Sequence, residues 1–186
     1  METILSVDIE TIGHLPGVNP MITLATVAYD EYGNMLDIFS MNLNRHGYIN
    51  NPDTLEWWDK FPDEFELATQ NPYDIQEVMQ LWKDFVNQYS DIVLMGYNSH
   101  YDISFINHYV RTFLPDWTDI RLSCIELRDI ITQYHGFERK YSKKRHWPSE
   151  WTDDLEYQGT RHLAIFDCIE QAHVYFKFRN TSNINS

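Results

Sequence analysis

The period of the apolar residues changes after the first third of this chain, and that change limits the folds open to it. Residues 3–9 (TILSVDI) alternate and are β-branched, so they read as a strand. Residues 21–29 (MITLATVAY) read as a second strand, and residues 35–43 as a third after the turn signal Glu31-Tyr32-Gly33-Asn34. Three successive strands with a short turn make an antiparallel meander. Past Asn51-Pro52-Asp53, a helix-start signal, the spacing becomes helical. A first helix is expected over 54–61 and a stronger one over 74–89, where Ile75, Val78, Met79, Leu81, Trp82, Phe85 and Val86 recur at helical spacing. A short buried strand at 91–96, a helix at 101–113, a strand at 120–124, a helix at 125–134 and a last helix at 161–178 complete the reading, with 136–159 polar, basic and irregular. The expected fold is α/β with a mixed sheet: the meander first, helix–strand alternation after it, helices flanking. One domain covers residues 1–178, and 179–186 form a polar tail that frays.

The 186 residues suffice for one domain whose core needs no metal or disulfide to hold it. Cys124 and Cys168 have no CxxC partner and read as two buried thiols in a reducing compartment. The first apolar run, Ile4 to Ile9, is broken by Asp8 and lacks a basic flank, so no signal peptide is expected. No stretch approaches the ~18 apolar residues of a membrane span, and the expected location is the cytoplasm. Charge is uneven. Residues 1–120 hold 19 acids and 4 bases, whereas residues 121–186 hold 9 acids and 10 bases. Five bases crowd into Arg139–Arg145, which a generic solubilising surface would have spread out.

Three short segments carry the residues that chemistry needs. Asp8 and Glu10 stand two apart at the end of the first strand, so a period of two puts both carboxylates on one face. Two such groups repel unless a cation lies between them. A solvated strand edge would explain the pair equally well. Asn98 and Asp102 follow the strand at 91–96; a turn residue and a helix N-terminal acid are their ordinary roles. His162 and Asp167 are five apart, about 140° around a helix, hence adjacent rather than stacked. If His162 precedes the helix, it can swing toward the same centre as Asp167; taken alone, a surface histidine and an unrelated helix acid are the ordinary reading.

Taken together, four acids at strand ends and helix starts, with an Asn and a His at fixed offsets, form a pattern. Asp8-Ile9-Glu10-Thr11, Asn98-x-x-x-Asp102 and His162-x-x-x-x-Asp167 resemble the three motifs of the DEDD 3′–5′ exonucleases of the ribonuclease-H-like fold. The histidine five before the last aspartate marks the DEDDh subclass; Leu163 stands where the DEDDy subclass has tyrosine. Ala164 and Ala172 also fit the third motif, and the likeness runs from residue 5 to about residue 178. The segment Thr54-Leu55-Glu56-Trp57-Trp58 resembles the branch that holds phage exodeoxyribonuclease A and an adenosine-selective exoribonuclease.

The resemblance implies two divalent cations, Mg²⁺ or Mn²⁺, held by Asp8, Glu10, Asp102 and Asp167, with His162 as general base. Hard oxygen-liganded ions suit a site made of carboxylates. The implied substrate is single-stranded DNA or RNA with a free 3′ end, released as nucleoside 5′-monophosphates. Thr11, Ile12 and Gly13 would hold the terminal nucleotide, and Asn98 would orient a loop or touch substrate. Trp57 and Trp58 are candidates for base stacking. Being about 100° apart on a helix, they cannot both face the site. A homodimer is compatible with the resemblance, and a membrane role is not expected. Other classes stay open at this point: a ribonuclease-H-type endonuclease, a catalytically silent nucleic-acid-binding module, or an acidic interaction protein. The intact set of acids and histidine speaks against the last two.

Lys143, Lys144 and Arg145 are expected to bind substrate phosphates and so offset the acidic body. Each phosphate contact on a single strand lowers log affinity by about 0.7 per log unit of salt. Replacing the three with Ala should weaken binding of all sequences alike and flatten that slope. Salt titrations of wild type and the triple variant measure it; parallel slopes would remove the segment from the substrate path.

Overall fold

The computed structural model of the protein describes residues 2–117, 124–134, 151 and 162–183. The basic cluster with Lys143, Lys144 and Arg145, and most of the expected strand at 120–124, lie outside the described residues. Strands β1 (Thr3–Thr11), β2 (Met21–Tyr29) and β3 (Met35–Asn42) form the meander. Helices α1 (Pro52–Trp58), α2 (Pro62–Thr69) and α3 (Ile75–Val86) follow. Then come β4 (Ile92–Gly96), α4 (Ser99–Phe113), β5 (Cys124–Glu126), α5 (Leu127–Tyr134) and α6 (Ala164–Asn183). The sheet order is β3-β2-β1-β4-β5. β1–β2 and β2–β3 are antiparallel, whereas β1–β4 and β4–β5 are parallel. This is the α/β mixed sheet of the ribonuclease-H-like fold.

β1 is the middle strand, and every residue of it is buried. Its alternation therefore does not separate core from solvent; it separates two cores. Leu5, Val7 and Ile9 face the cluster built from α3 and α4, including Val78, Trp82, Phe105 and Tyr109. Ile4 faces the cluster built on α6, with Ala164, Cys168, Ala172 and Phe176. Ser6, Asp8 and Glu10 share the parity of Ile4, so they point to the α6 side. Buried Ser6 is satisfied there by donating to the Cys168 carbonyl at 2.7 Å.

Several elements differ from expectation for local reasons. The helix expected over 54–61 ends at Trp58, because Pro62 starts a separate helix, α2, with Asp63 and Glu64 favourably placed in its first turn. Leu81, which fits the helical repeat of α3, is 42% exposed and lies off its buried face. The last helix starts later than expected, at Ala164, and runs on to Asn183 rather than ending at 178. Cys168 is buried and Cys124 half-buried; both are free thiols, and burial pushes the Cys124 thiol up to about 11. No helix among the described residues is long and apolar enough to cross a membrane.

Trp82 joins α3 to the sheet. Its ring is fully buried, and its indole N–H donates to the Thr26 hydroxyl at 2.9 Å. Trp82→Ala should lower unfolding stability by about 3–5 kcal/mol, the usual range for emptying a large aromatic site. Trp82→Phe, which keeps most of the volume, should cost clearly less. Urea denaturation checks both, and a loss under about 1 kcal/mol for the Ala variant would mean the ring packs loosely.

Candidate active site

The site forms where β4 stops and β1 continues. β4 pairs with β1 only from Thr3↔Ile92 to Ser6↔Met95. Beyond Ser6 the chain of β4 turns into α4, and among the described residues no strand pairs with the rest of β1 on that side. The backbone N–H of Ile9 donates instead to the Asp102 Oδ1, at 3.2 Å, from the first turn of α4. Asp102 is thus tied to the strand midway between Asp8 and Glu10. On the other edge, β1 and β2 shift register between Glu10 and Thr11, an irregularity that turns the strand end just past the acids.

α6 brings the fourth acid, Asp167, in its first turn. Asp8, Glu10 and Asp167 each offer a carboxylate oxygen such that the three lie within 4.8 Å of one another. All four acids are buried, at 6% exposure for Asp8 and Asp102, 9% for Glu10 and 8% for Asp167. Carboxylates this close and this dry repel unless a cation or a proton is shared among them. The donor set is all oxygen, which fits Mg²⁺ or Mn²⁺ rather than a soft metal.

Uncharged polar groups hold the acids and the loop that follows. Gln171, fully buried one turn beyond Asp167, donates from Nε2 to Asp8 Oδ1 at 3.0 Å and accepts from the Tyr97 N–H at 3.0 Å. Tyr101 donates to the Gly13 carbonyl at 2.8 Å, and its hydroxyl lies 2.6 Å from that of Thr11. Burial raises the Tyr101 pKa, and the charges of Asp102, Glu10 and Asp8 raise it further, so the phenol remains a donor. Asn19 ties the loop after the acids, accepting from Leu15 N–H at 3.0 Å and donating to the Ile49 carbonyl at 2.8 Å. Gly13 has φ +133°, and a Cβ there would collide with the Asn19 side chain, so only glycine fits.

The other expected residues fall on both sides of the core boundary. Ile12 is fully buried, its N–H bonded to the Pro20 carbonyl and its own carbonyl to the Asn51 N–H. Its side chain packs with Ile22 and Trp58. Trp58, 2% exposed, donates its indole N–H to the Thr11 carbonyl at 3.0 Å and is likewise core. Those bonds dock α1 on the end of β1. Trp57 stays half-buried and meets the His162 ring edge-on at 4.9 Å, with Phe61 at 4.5 Å on the same imidazole. His162 precedes α6 by two residues with φ 67°. Asn98 stands just before α4 with φ 61°, and its side chain makes no cap bond. The cap is supplied from afar: Glu126 on β5 accepts from the N–H groups of Asn98 and Ser99 at 2.8 and 2.7 Å and from the Ser99 hydroxyl. Gln171, Tyr101 and Glu126 escaped the sequence reading, since nothing local marks a polar residue that acts across the fold.

Residues 3–178 match the family described as the 3′–5′ exoribonuclease Rv2179c-like domain. The 3′–5′ DNA exonuclease Cap18 of Escherichia coli is 28% identical over 117 residues, which are 62% of this chain and 60% of that protein. E. coli exonuclease I in complex with a dA16 oligonucleotide superposes with a TM-score of 0.75 at 14% identity, over 99% of this chain and 42% of that one. The Mg²⁺- and Mn²⁺-bound form of Pop2p from S. pombe gives 0.66 at 14% identity, over 98% and 85% of the two chains. At such identities the solved structures speak to the fold alone. The family match is of another kind, since it takes in nearly every described element and all three motifs. The chain belongs to the Rv2179c-like 3′–5′ exoribonuclease domain family, within the DEDDh exonucleases of ribonuclease-H-like fold.

Proposed function

We propose that this chain hydrolyses single-stranded DNA or RNA from the 3′ end, releasing nucleoside 5′-monophosphates with the help of two divalent cations, Mg²⁺ or Mn²⁺. The observation that carries the reading is the convergence of Asp8, Glu10 and Asp167 within 4.8 Å, with Asp102 tied to the strand between the first two. Asp8, Glu10 and Asp167 would hold the ions, Asp102 completing the set. A pair of such ions supplies charge stabilisation at the attacking and leaving oxygens of the phosphodiester. His162 takes the proton of the attacking water. Its place just ahead of α6 puts it at the end of the helix that carries Asp167. Thr11 and Gly13, braced by Tyr101, shape the pocket of the last nucleotide, and Trp57 offers an aromatic surface to a base. Cap18 and exonuclease I are named as acting on, or bound to, DNA, while the matched family is named for RNA. A gel assay on 5′-labelled single- and double-stranded DNA and RNA, with Mg²⁺, Mn²⁺ or chelator, separates the substrates. Ladders shrinking from the 3′ end support the reading, and internal cuts would favour an endonuclease.

Asp8→Asn or Asp167→Asn should reduce turnover to below a few percent while the fold persists, since each removes a ligand charge from the cluster. Circular dichroism and single-turnover assays at saturating Mg²⁺ check this. Substantial residual turnover in either variant would take that residue out of the metal set.

His162→Ala should slow the chemical step by roughly 10²–10⁴-fold, the usual range for losing a general base, and spare metal binding. The acid limb of the pH–rate profile should flatten, because the group whose protonation stops catalysis is gone. An acid limb that survives intact assigns that ionisation to another group.

A further inference from the structure

We infer that Gln171 is a positioning residue that sets the Asp8 carboxylate for metal binding, an inference that rests on the proposed two-metal reading. Gln171 is completely buried, a place where an amide is tolerated only if both ends are bonded. Here both are. The Tyr97 N–H can only donate, so Oε1 must face it, at 3.0 Å; this leaves Nε2 facing Asp8 Oδ1, at 3.0 Å. The amide orientation is thereby fixed by its partners. Tyr97 follows Gly96, the last residue of β4, so the side chain spans the gap that opens where β4 leaves β1.

α6 is well suited to hold this bridge. Asp167 and Gln171 are four apart and share a helix face, so one element delivers a carboxylate to the cluster and an amide to its neighbour. Between them, the Cys168 carbonyl accepts from Ser6, which pins the helix to β1 two residues before Asp8. Packing is close: a Cβ at Gly96 would stand 3.2 Å from the Val7 carbonyl and 3.6 Å from Gln171 Oε1.

The chemistry favours an amide in this place. A lysine or arginine would orient Asp8 too, but its positive charge would compete with the cation for the same carboxylates. Gln171 donates a hydrogen bond without cancelling negative charge. It occupies one lone pair of Oδ1 and restrains the rotation of the carboxylate, whose charge stays available to a cation. Groups that orient ligands in this way commonly contribute 10–100-fold to metal affinity.

The test is Gln171→Met in the full chain, with Mn²⁺ binding followed by titration calorimetry and by the rise in Tm that Mn²⁺ produces. The Kd for Mn²⁺ should weaken about 10–100-fold, and the Mn²⁺-induced rise in Tm should shrink accordingly. The metal-free Tm is also expected to fall, because Tyr97 loses its acceptor; a purely structural role would produce that fall alone. Wild-type Kd in a folded variant would overturn the inference. If wild type itself bound no Mn²⁺, the fault would lie with the two-metal reading instead. Should the variant not fold, the Gln171 side-chain amide of wild type decides the matter by NMR. Its protons should shift with the metal-binding midpoint and stay protected from exchange as Mg²⁺ is added. Loss of that protection would mean the bond to Asp8 breaks on metal binding, which would also overturn the inference.

Discussion

The whole arrangement depends on β1 outrunning β4. A central strand that kept both neighbours to its end would satisfy the Ile9 N–H within the ladder and leave Asp102 no donor on β1. Because β4 pairs only as far as Met95, the backbone of β1 is left needing a partner on that side, and Asp102 answers at Ile9. The same departure of β4 sends the chain into α4, which is how Asp102 arrives. A single mismatch in strand length therefore makes the opening and fills it with one of the acids.

Crowded carboxylates cost stability, and the described surroundings offset that cost with neutral donors. Gln171 and the Ile9 N–H each donate directly to an acid of the cluster. Tyr101 and Glu126 act one step away: the first braces the turn after Glu10, and the second caps the helix that bears Asp102. Glu126 is instructive because it is negative yet sits at a helix N-terminus, where two N–H groups and the helix dipole stabilise its charge. The acid accepts from backbone donors, so the helix that bears Asp102 is capped by a residue outside the cluster.

How much of this could be read from the sequence follows from the range of each interaction. The meander, α3, α4 and the motif acids rest on periodicity and on spacings within a few residues, and those are written locally. The split of α1 from α2 was also local, in Pro62 and the acids behind it, but the apolar spacing over 54–61 masked it. Burial of β1 on both faces was not local. Thr3 and Ser6 look like solvent-side residues until α6 supplies the Cys168 carbonyl that satisfies Ser6. The same limit hid Gln171, which is 163 residues from Asp8 along the chain. It also hid the burial of Ile12 and left open which of Trp57 and Trp58 is core; both follow from α1 folding back onto the end of β1.

Two left-handed residues stand at the starts of the two helices that deliver Asp102 and Asp167. Asn98, with φ 61°, immediately precedes α4, and His162, with φ 67°, stands two residues ahead of α6. Asparagine tolerates this conformation, since its short side chain is compatible with it. Histidine adopts it less readily, and residues held there cost of order 1–3 kcal/mol. Such strain persists only where surrounding contacts impose it. At His162 those contacts include Trp57 and Phe61, whose rings meet the imidazole at 4.9 and 4.5 Å. Trp57 is held in turn by Trp58, and Trp58 by its bond to Thr11. The conformation of the histidine is thus linked, through two tryptophans, to the strand that carries Asp8 and Glu10. A single extended helix over 54–61 would not have needed Pro62 or the turn at Asp59–Phe61, yet it is that turn which places Phe61 against His162.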